Sequence, residues 1–247
     1  MKDQYVGDVN DYAKYALCRA LTAKGDVALG VWWMRTPDDG RPDGALTGYL
    51  ARFERWSDLD PELYVAMKFL VAEGKRSVQN VERSGLLAGA LFWPEPVPPK
   101  EQDRWLSFTK MLQRFRDRDL VLFDPDMGIE VPSVPQGHAR SCQYVYWGEL
   151  TTMYAEGHSL LIFQYFPRVQ RQVFTSLRLE QLAALVGAAA VCCAATPRVA
   201  FFLAMHERHR SKLRTGLDAF AQRWQLPVIV GKPEGSLVAM VARDPHS

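Results

Sequence analysis

The chain has 247 residues and a formal net charge of +2 at neutral pH, with apolar and charged fractions ordinary for a globular protein. That balance excludes a fibre, a disordered segment and a strongly polycationic binder, so any nucleic-acid partner has to be sought in local patches. The length suits one α/β domain with a sizeable core, taken here as residues 1–247.

Residues 12–24 read as a helix that Asp8 or Asn10 caps and Gly25 stops. The apolar run DVALGVWWM, residues 26–34, is short and rich in β-formers, which predicts a buried strand. A polar loop rich in Gly, Pro and Asp follows to residue 48. Residues 62–73 form an amphipathic helical pattern, while residues 77–87 fit no single period. The PEPVPP run at 94–99 excludes regular structure and reads as an ordered connector.

Residues 102–116 are a further helix, after which LVLF (120–123) is a compact strand running straight into DPDMG. An extended piece at 143–147, a helix at 149–156 and a second buried strand, SLLIFQYF (159–166), come next. Then follow a helix (169–185), apolar runs at 188–195 and 199–205, a basic helix (207–224) and a closing strand (237–242). Continuous apolar strands alternating with helices imply a doubly wound, mainly parallel α/β sheet of Rossmann-like type.

Ligands of open α/β sheets sit outside the carboxyl ends of the strands. That rule selects Arg35, Asp38, Asp39 and Gly40 after the first strand, and Asp124, Asp126 and Glu130 after LVLF. It also selects Gln164 and Arg168 around the end of SLLIFQYF, and His206 after VAFFLAM. Asp124 and Asp126 bracket a proline, and two carboxylates that close share a proton, bind a cation or face a ligand's donor. Near the N-terminus, helical spacing stacks Asp8, Asp11 and Lys14, so Lys14 either neutralises Asp11 or points with it into a cleft. The run HERHRSKLR places Arg208, Arg210, Lys212 and Arg214 where they can meet phosphates, with Arg114, Arg116 and Arg118 as helpers. The absence of GxSxG, P-loop and GxGxxG motifs removes serine hydrolase and nucleotide kinase readings.

The order of GDVNDYAKY, LVLFDPD and SLLIFQYFP resembles that in the bacterial methyltransferases that modify an adenine N6 of 23S ribosomal RNA. Gly7, Asp11 and Lys14 keep the spacing of that family's G-N-H-A-D-x-x-K-H run. Asp124-Pro125 matches the first half of its DPPY tetrapeptide, and Phe166-Pro167 its later YP pair. The resemblance implies a class I methyltransferase fold, with S-adenosylmethionine beside Lys14, Tyr15, Thr36, Asp38, Gly40 and Ser84. It also implies Asp124 as the group that accepts hydrogen bonds from the target amine, while the strand-end rule gives Gln164 and Arg168, and the basic run Arg208 and Arg210, as contacts to an RNA or DNA substrate.

Asp126 and Met127 stand where the family has Pro and Tyr, which removes the aromatic that would stack on a flipped adenine. MRTPDDGRPDG replaces its glycine-rich loop. Two alternatives therefore stay open. One is a metal-dependent nuclease or phosphoesterase, with Mg2+ or Mn2+ on Asp124, Asp126 and Glu130 and phosphate on Arg168 or Lys14. The other is a catalytically inactive binding protein on the same fold.

Cys18, Cys142, Cys192 and Cys193 lack CxxC spacing, which suits a reducing compartment. The first twelve residues have no signal-peptide core, and the apolar stretch 182–195 is shorter than the ~20 residues a spanning helix needs. A soluble, cytoplasmic protein is the expectation.

Overall fold

A computed structural model describes residues 1–37 and 44–231 of the chain. The first helix, α1 (Val9–Thr22), starts where its cap predicts: the Asp8 carboxylate accepts from the Asn10 and Asp11 amides at 2.7 and 2.9 Å. Strand β1 (Leu29–Trp32) follows, and then the short α2 (Phe53–Trp56), α3 (Pro61–Ala72) and α4 (Val78–Arg83). Pro61 opens α3 at a position where its missing N–H costs nothing, and the Asp60 side chain caps it.

Strand β2 (Leu91–Trp93), helix α5 (Glu101–Phe115) and strand β3 (Leu120–Phe123) come next. The two-residue β4 (Gly128–Ile129) and β5 (Tyr144–Val145) pair with each other, and α6 (Trp147–Ala155) leads into β6 (Ser159–Tyr165). Helix α7 (Arg171–Val186), strands β7 (Val191–Ala195) and β8 (Val199–Ala204), helix α8 (Arg210–Trp224) and strand β9 (Val228–Val230) complete the described chain. The strand expected at 237–242 lies outside the described residues.

The central sheet has seven strands in the order β2-β1-β3-β6-β8-β7-β9. The first four pair in parallel, while β8 runs against both β6 and β7, and β9 runs against β7. Five strands therefore share one direction, and β8 and β9, on either side of β7, run against it. This corrects one expectation: the carboxyl end of β8 points to the opposite edge from that of β3, so His206 and the basic run behind it lie away from Asp124.

Alternation along each strand feeds two cores. Leu120, Leu122, Leu161 and Phe163 join α1, α3 and α8 on one face. Val121, Phe123, Leu160 and Ile162 join α5, α6 and α7 on the other. Helices thus flank both faces. Close contact of α1 with α8 depends on Gly216, where a Cβ would stand 2.6 Å from the Ala20 carbonyl oxygen. Among the described residues, no helix is long and apolar enough to cross a membrane.

Candidate functional site

From β1 the chain moves outward to β2 and then returns past it to β3, so the loops leaving β1 and β3 diverge at a topological switch point. Asp124, Pro125 and Asp126 follow β3 there, and Met34 to Thr36 follow β1. The Asp124 amide donates to the Trp32 carbonyl at 3.0 Å, which ties the two loops together.

Helix α1 lays its first turns over this point. Lys14 Nζ lies 2.8 Å from Asp11 Oδ1 and 2.7 Å from Asp124 Oδ2, and all three side chains are buried. The Tyr15 hydroxyl donates to Asp11 Oδ2 at 3.2 Å. Aromatic rings of Tyr15, Trp33 and Phe163 surround the ammonium at 5.3, 5.9 and 4.8 Å. Burial alone disfavours a charged lysine, but the attraction of Asp11 and Asp124 outweighs it and holds Lys14 above the ordinary range. Burial pushes the Asp11 carboxyl up to about 7, against the opposing pull of Lys14. The two shifts agree physically: Asp8, Asp11 and Asp124 gather around one ammonium, so the cluster holds an extra proton tightly.

Asp126 is separate from this pair. Its Oδ2 accepts from Thr36 Oγ1 at 2.6 Å, and its Oδ1 lies 2.7 Å from the Met1 amino group. That second contact is a buried ion pair, and Lys2 Nζ lies 4.0 Å from Oδ2. The Met1 nitrogen also donates to the carbonyls of Met34, at 2.9 Å, and Asp124, at 3.3 Å.

Gln164 holds the loop from behind. Its Oε1 accepts from the Ile129 amide at 2.9 Å, and its Nε2 donates to the Met127 and Tyr165 carbonyls at 2.9 and 2.7 Å. Gly128 makes this possible, since its φ is +122° and a Cβ would stand 2.2 Å from the Gln164 amide. Gly128→Ala is therefore expected to lose about 1–3 kcal/mol by strain and displacement of Gln164. Urea unfolding checks it, and a variant within about 0.5 kcal/mol of the parent would refute the arrangement.

Lys14, Tyr15, Thr36, Asp124 and Asp126 thus come together around the loop after β3, with Gln164 committed to backbone. The first two lie under the site rather than at its surface: Lys14 is 1% exposed and Tyr15 fully buried. Asp38 and Gly40 lie outside the described residues. Ser84 caps its own helix, donating to the Val81 carbonyl at 2.6 Å, and lines a separate cavity beside α3. Glu130 is spent on the start of α6, where its Oε1 accepts from the Trp147 amide at 2.6 Å. Among the described residues, no group of three or more His, Cys, Asp or Glu side chains is arranged to hold a metal ion. Arg168 is exposed.

Arg208 and Arg210 stand at the amino-terminal edge of the sheet. Arg208 donates to the Gly157 carbonyl at 2.8 Å, and Arg210 pairs with Glu207 at 2.5 Å. The same edge carries residue types of a hydrolytic triad: Ser159 Oγ is 3.0 Å from His209 Nδ1, and His209 Nε2 is 3.0 Å from Asp119 Oδ1. Ser159 is fully buried and its oxygen also accepts from the His206 amide at 2.9 Å, so the chain staples β6 to α8 instead of presenting a nucleophile.

Sequence reasoning missed a basic cavity against an adjoining face of α1. No protein-family model and no curated protein matches this chain.

Proposed function

We propose that the chain is a methyltransferase-like protein that acts on a nucleic acid or a nucleotide, with S-adenosylmethionine as methyl donor. The observation that carries this reading is the convergence of Asp124, Asp126 and Thr36 at the switch point between β1 and β3, where ligands of open α/β sheets sit. A reversed strand between two parallel neighbours at one side of the sheet accords with the methyltransferase variety of the Rossmann-like fold.

On this reading Asp126 and Thr36 hold the cofactor, which supplies an electrophilic methyl group. Lys14 and Asp11 fix Asp124 from beneath, as positioning residues, and Gln164 sets the backbone of the loop. The protein contributes orientation and electrostatics.

One feature favours a second reading, that of a binding protein without catalysis: Asp124 gives Oδ2 to Lys14 and is only 1% exposed, so no carboxylate oxygen there faces an acceptor amine. Thermal denaturation with S-adenosylmethionine, S-adenosylhomocysteine, Mg2+ and Mn2+ in parallel separates the readings. A cofactor at a hundred times its Kd is expected to add about 2.7 kcal/mol of stability. No shift at millimolar cofactor removes the proposal, and a shift with the metals alone replaces it with the nuclease reading. A cofactor shift without methyl incorporation into RNA, DNA or nucleotides selects the binding protein.

A further inference from the structure

On the face of α1 that adjoins the Asp11–Lys14 pair, Asn10 and Ala13 form part of the wall of a cavity of about 750 Å3. It lies toward the same edge of the sheet as Asp124, because the β7–β8 turn, with Arg198, closes it at the carboxyl end of β7. Four arginines contribute to its lining: Arg52 and Arg55 around α2, Arg198, and Arg223 at the end of α8. All four are exposed, and none makes an ion pair among the described residues. Among the described residues, no carboxylate lines the cavity.

Beneath this cationic rim lies an aromatic floor. Trp56 and Trp224 are half-buried, with ring centroids 6.4 Å apart in an edge-on arrangement, and the Arg55 guanidinium lies 5.8 Å from the Trp56 ring. The Trp56 indole N–H is buried and has no hydrogen-bond partner among the described residues. Indole N–H groups out of water ordinarily find an acceptor, so a donor left without one beside a cavity marks a place for a ligand atom.

We infer that this cavity binds a nucleotide unit, the base against Trp56 and Trp224 and the phosphate among Arg52, Arg55, Arg198 and Arg223. Each part of the ligand follows from one part of the site. Planar guanidinium forks match phosphate oxygens in pairs, and indole surfaces take any base by stacking. The volume is that of an ordinary small-molecule pocket, large enough for one nucleotide. A simple inorganic anion would leave the aromatic floor and the indole N–H unused, and an uncharged aromatic would leave four guanidinium groups without a counter-charge. The site gives the proposed nucleotide or nucleic-acid substrate a place, but needs no methyl donor, so the two proposals fail separately.

Calorimetric titration of the whole chain at low salt, without S-adenosylmethionine, tests the inference with adenosine 5′-monophosphate, inorganic phosphate and a short single-stranded oligoadenylate. The monophosphate or the oligonucleotide is expected to bind, with inorganic phosphate at least about tenfold weaker, since stacking on an aromatic contributes that much or more. Arg55→Ala and Arg223→Ala are each expected to weaken binding about tenfold or more while leaving the thermal midpoint in place, because both side chains are exposed and bear no ion pair. Binding of the monophosphate alone identifies a free nucleotide as the ligand. Tighter binding of the oligonucleotide, with a steep salt dependence, identifies a strand. The inference is overturned if neither nucleotide probe binds at millimolar concentration, if phosphate binds as tightly as the monophosphate, or if Arg55→Ala and Arg223→Ala both bind unchanged.

Discussion

Replacing Lys14 by methionine is expected to lower the unfolding free energy by about 3–5 kcal/mol, the range found when one partner of a buried ion pair is removed. The ammonium is the common partner of Asp11 at 2.8 Å and Asp124 at 2.7 Å, and methionine fills most of its volume without its charge. The loss comes from two carboxylates left in an aromatic, water-poor setting, not from a cavity. It should therefore depend on pH. In the parent protein the folded-state pKa of Asp11 is already about 7 against an ordinary 3.8, so the folded chain binds more protons than the unfolded chain between those values. Stability from this group accordingly falls as pH rises from about 4 through 7 and levels off above. Without Lys14 the opposing pull disappears, the carboxyl rises further, and the downward slope extends beyond pH 7. Urea unfolding at pH 5 and pH 8 should show the larger deficit at pH 8. Adding Asp11→Asn to the methionine variant should recover part of the loss, because one of the stranded charges is gone. A single variant within about 1 kcal/mol of the parent at both pH values would mean that the pair does not hold the switch point together.

The Lys14–Asp124 contact joins residues 110 apart in sequence, and half of it was legible there. The spacing of Asp11 and Lys14 put them on one helix face, and the strand LVLF announced a loop at its carboxyl end. What the sequence did not carry was that the helix face points inward, so the acidic loop is closed over by its own chain. Strands β3 and β6 were readable because every residue is buried on one face or the other, which leaves long apolar runs. Strand β2 was not, since three residues abutting Pro94 carry no period. Direction was equally invisible: an apolar run such as VAFFLA reads the same in either sense, and the reversal of β8 sent the basic residues behind it to the wrong edge. The arginines of the nucleotide cavity come from positions 52, 55, 198 and 223, and no local pattern links segments that only the closing of the sheet brings together.

Arg104 in α5 and Glu149 in α6 were likewise unremarkable in sequence, yet Arg104→Met is expected to cost a further large amount, about 3–5 kcal/mol. The guanidinium is 2% exposed and grips Glu149 with both edges of its fork, Nε to Oε1 at 2.6 Å and Nη2 to Oε2 at 2.8 Å. Its remaining donors reach the carbonyls of Ser141 at 3.0 Å and Tyr144 at 2.7 Å, while Glu149 also accepts from the Tyr146 amide at 2.9 Å. Removing the arginine leaves a buried carboxylate and two carbonyl acceptors unmet at once. Arg104→Lys keeps the charge but cannot reproduce the paired bonds, so a loss between that of methionine and none is expected. Replacing both partners, as Arg104→Met with Glu149→Leu, should recover much of the stability, because an apolar pair leaves no charge stranded. The consequence reaches the site through β4 and β5. The Met127 amide donates to the Gln143 carbonyl at 2.9 Å and the Glu130 amide to Val145 at 2.8 Å, so the segment that Arg104 anchors is the one that braces the loop behind Asp126. Amide exchange between residues 127 and 147 should accelerate in Arg104→Met more than exchange in β3 or β6. Uniform acceleration across the sheet would show that the ion pair stabilises the whole fold without any special hold on the loop.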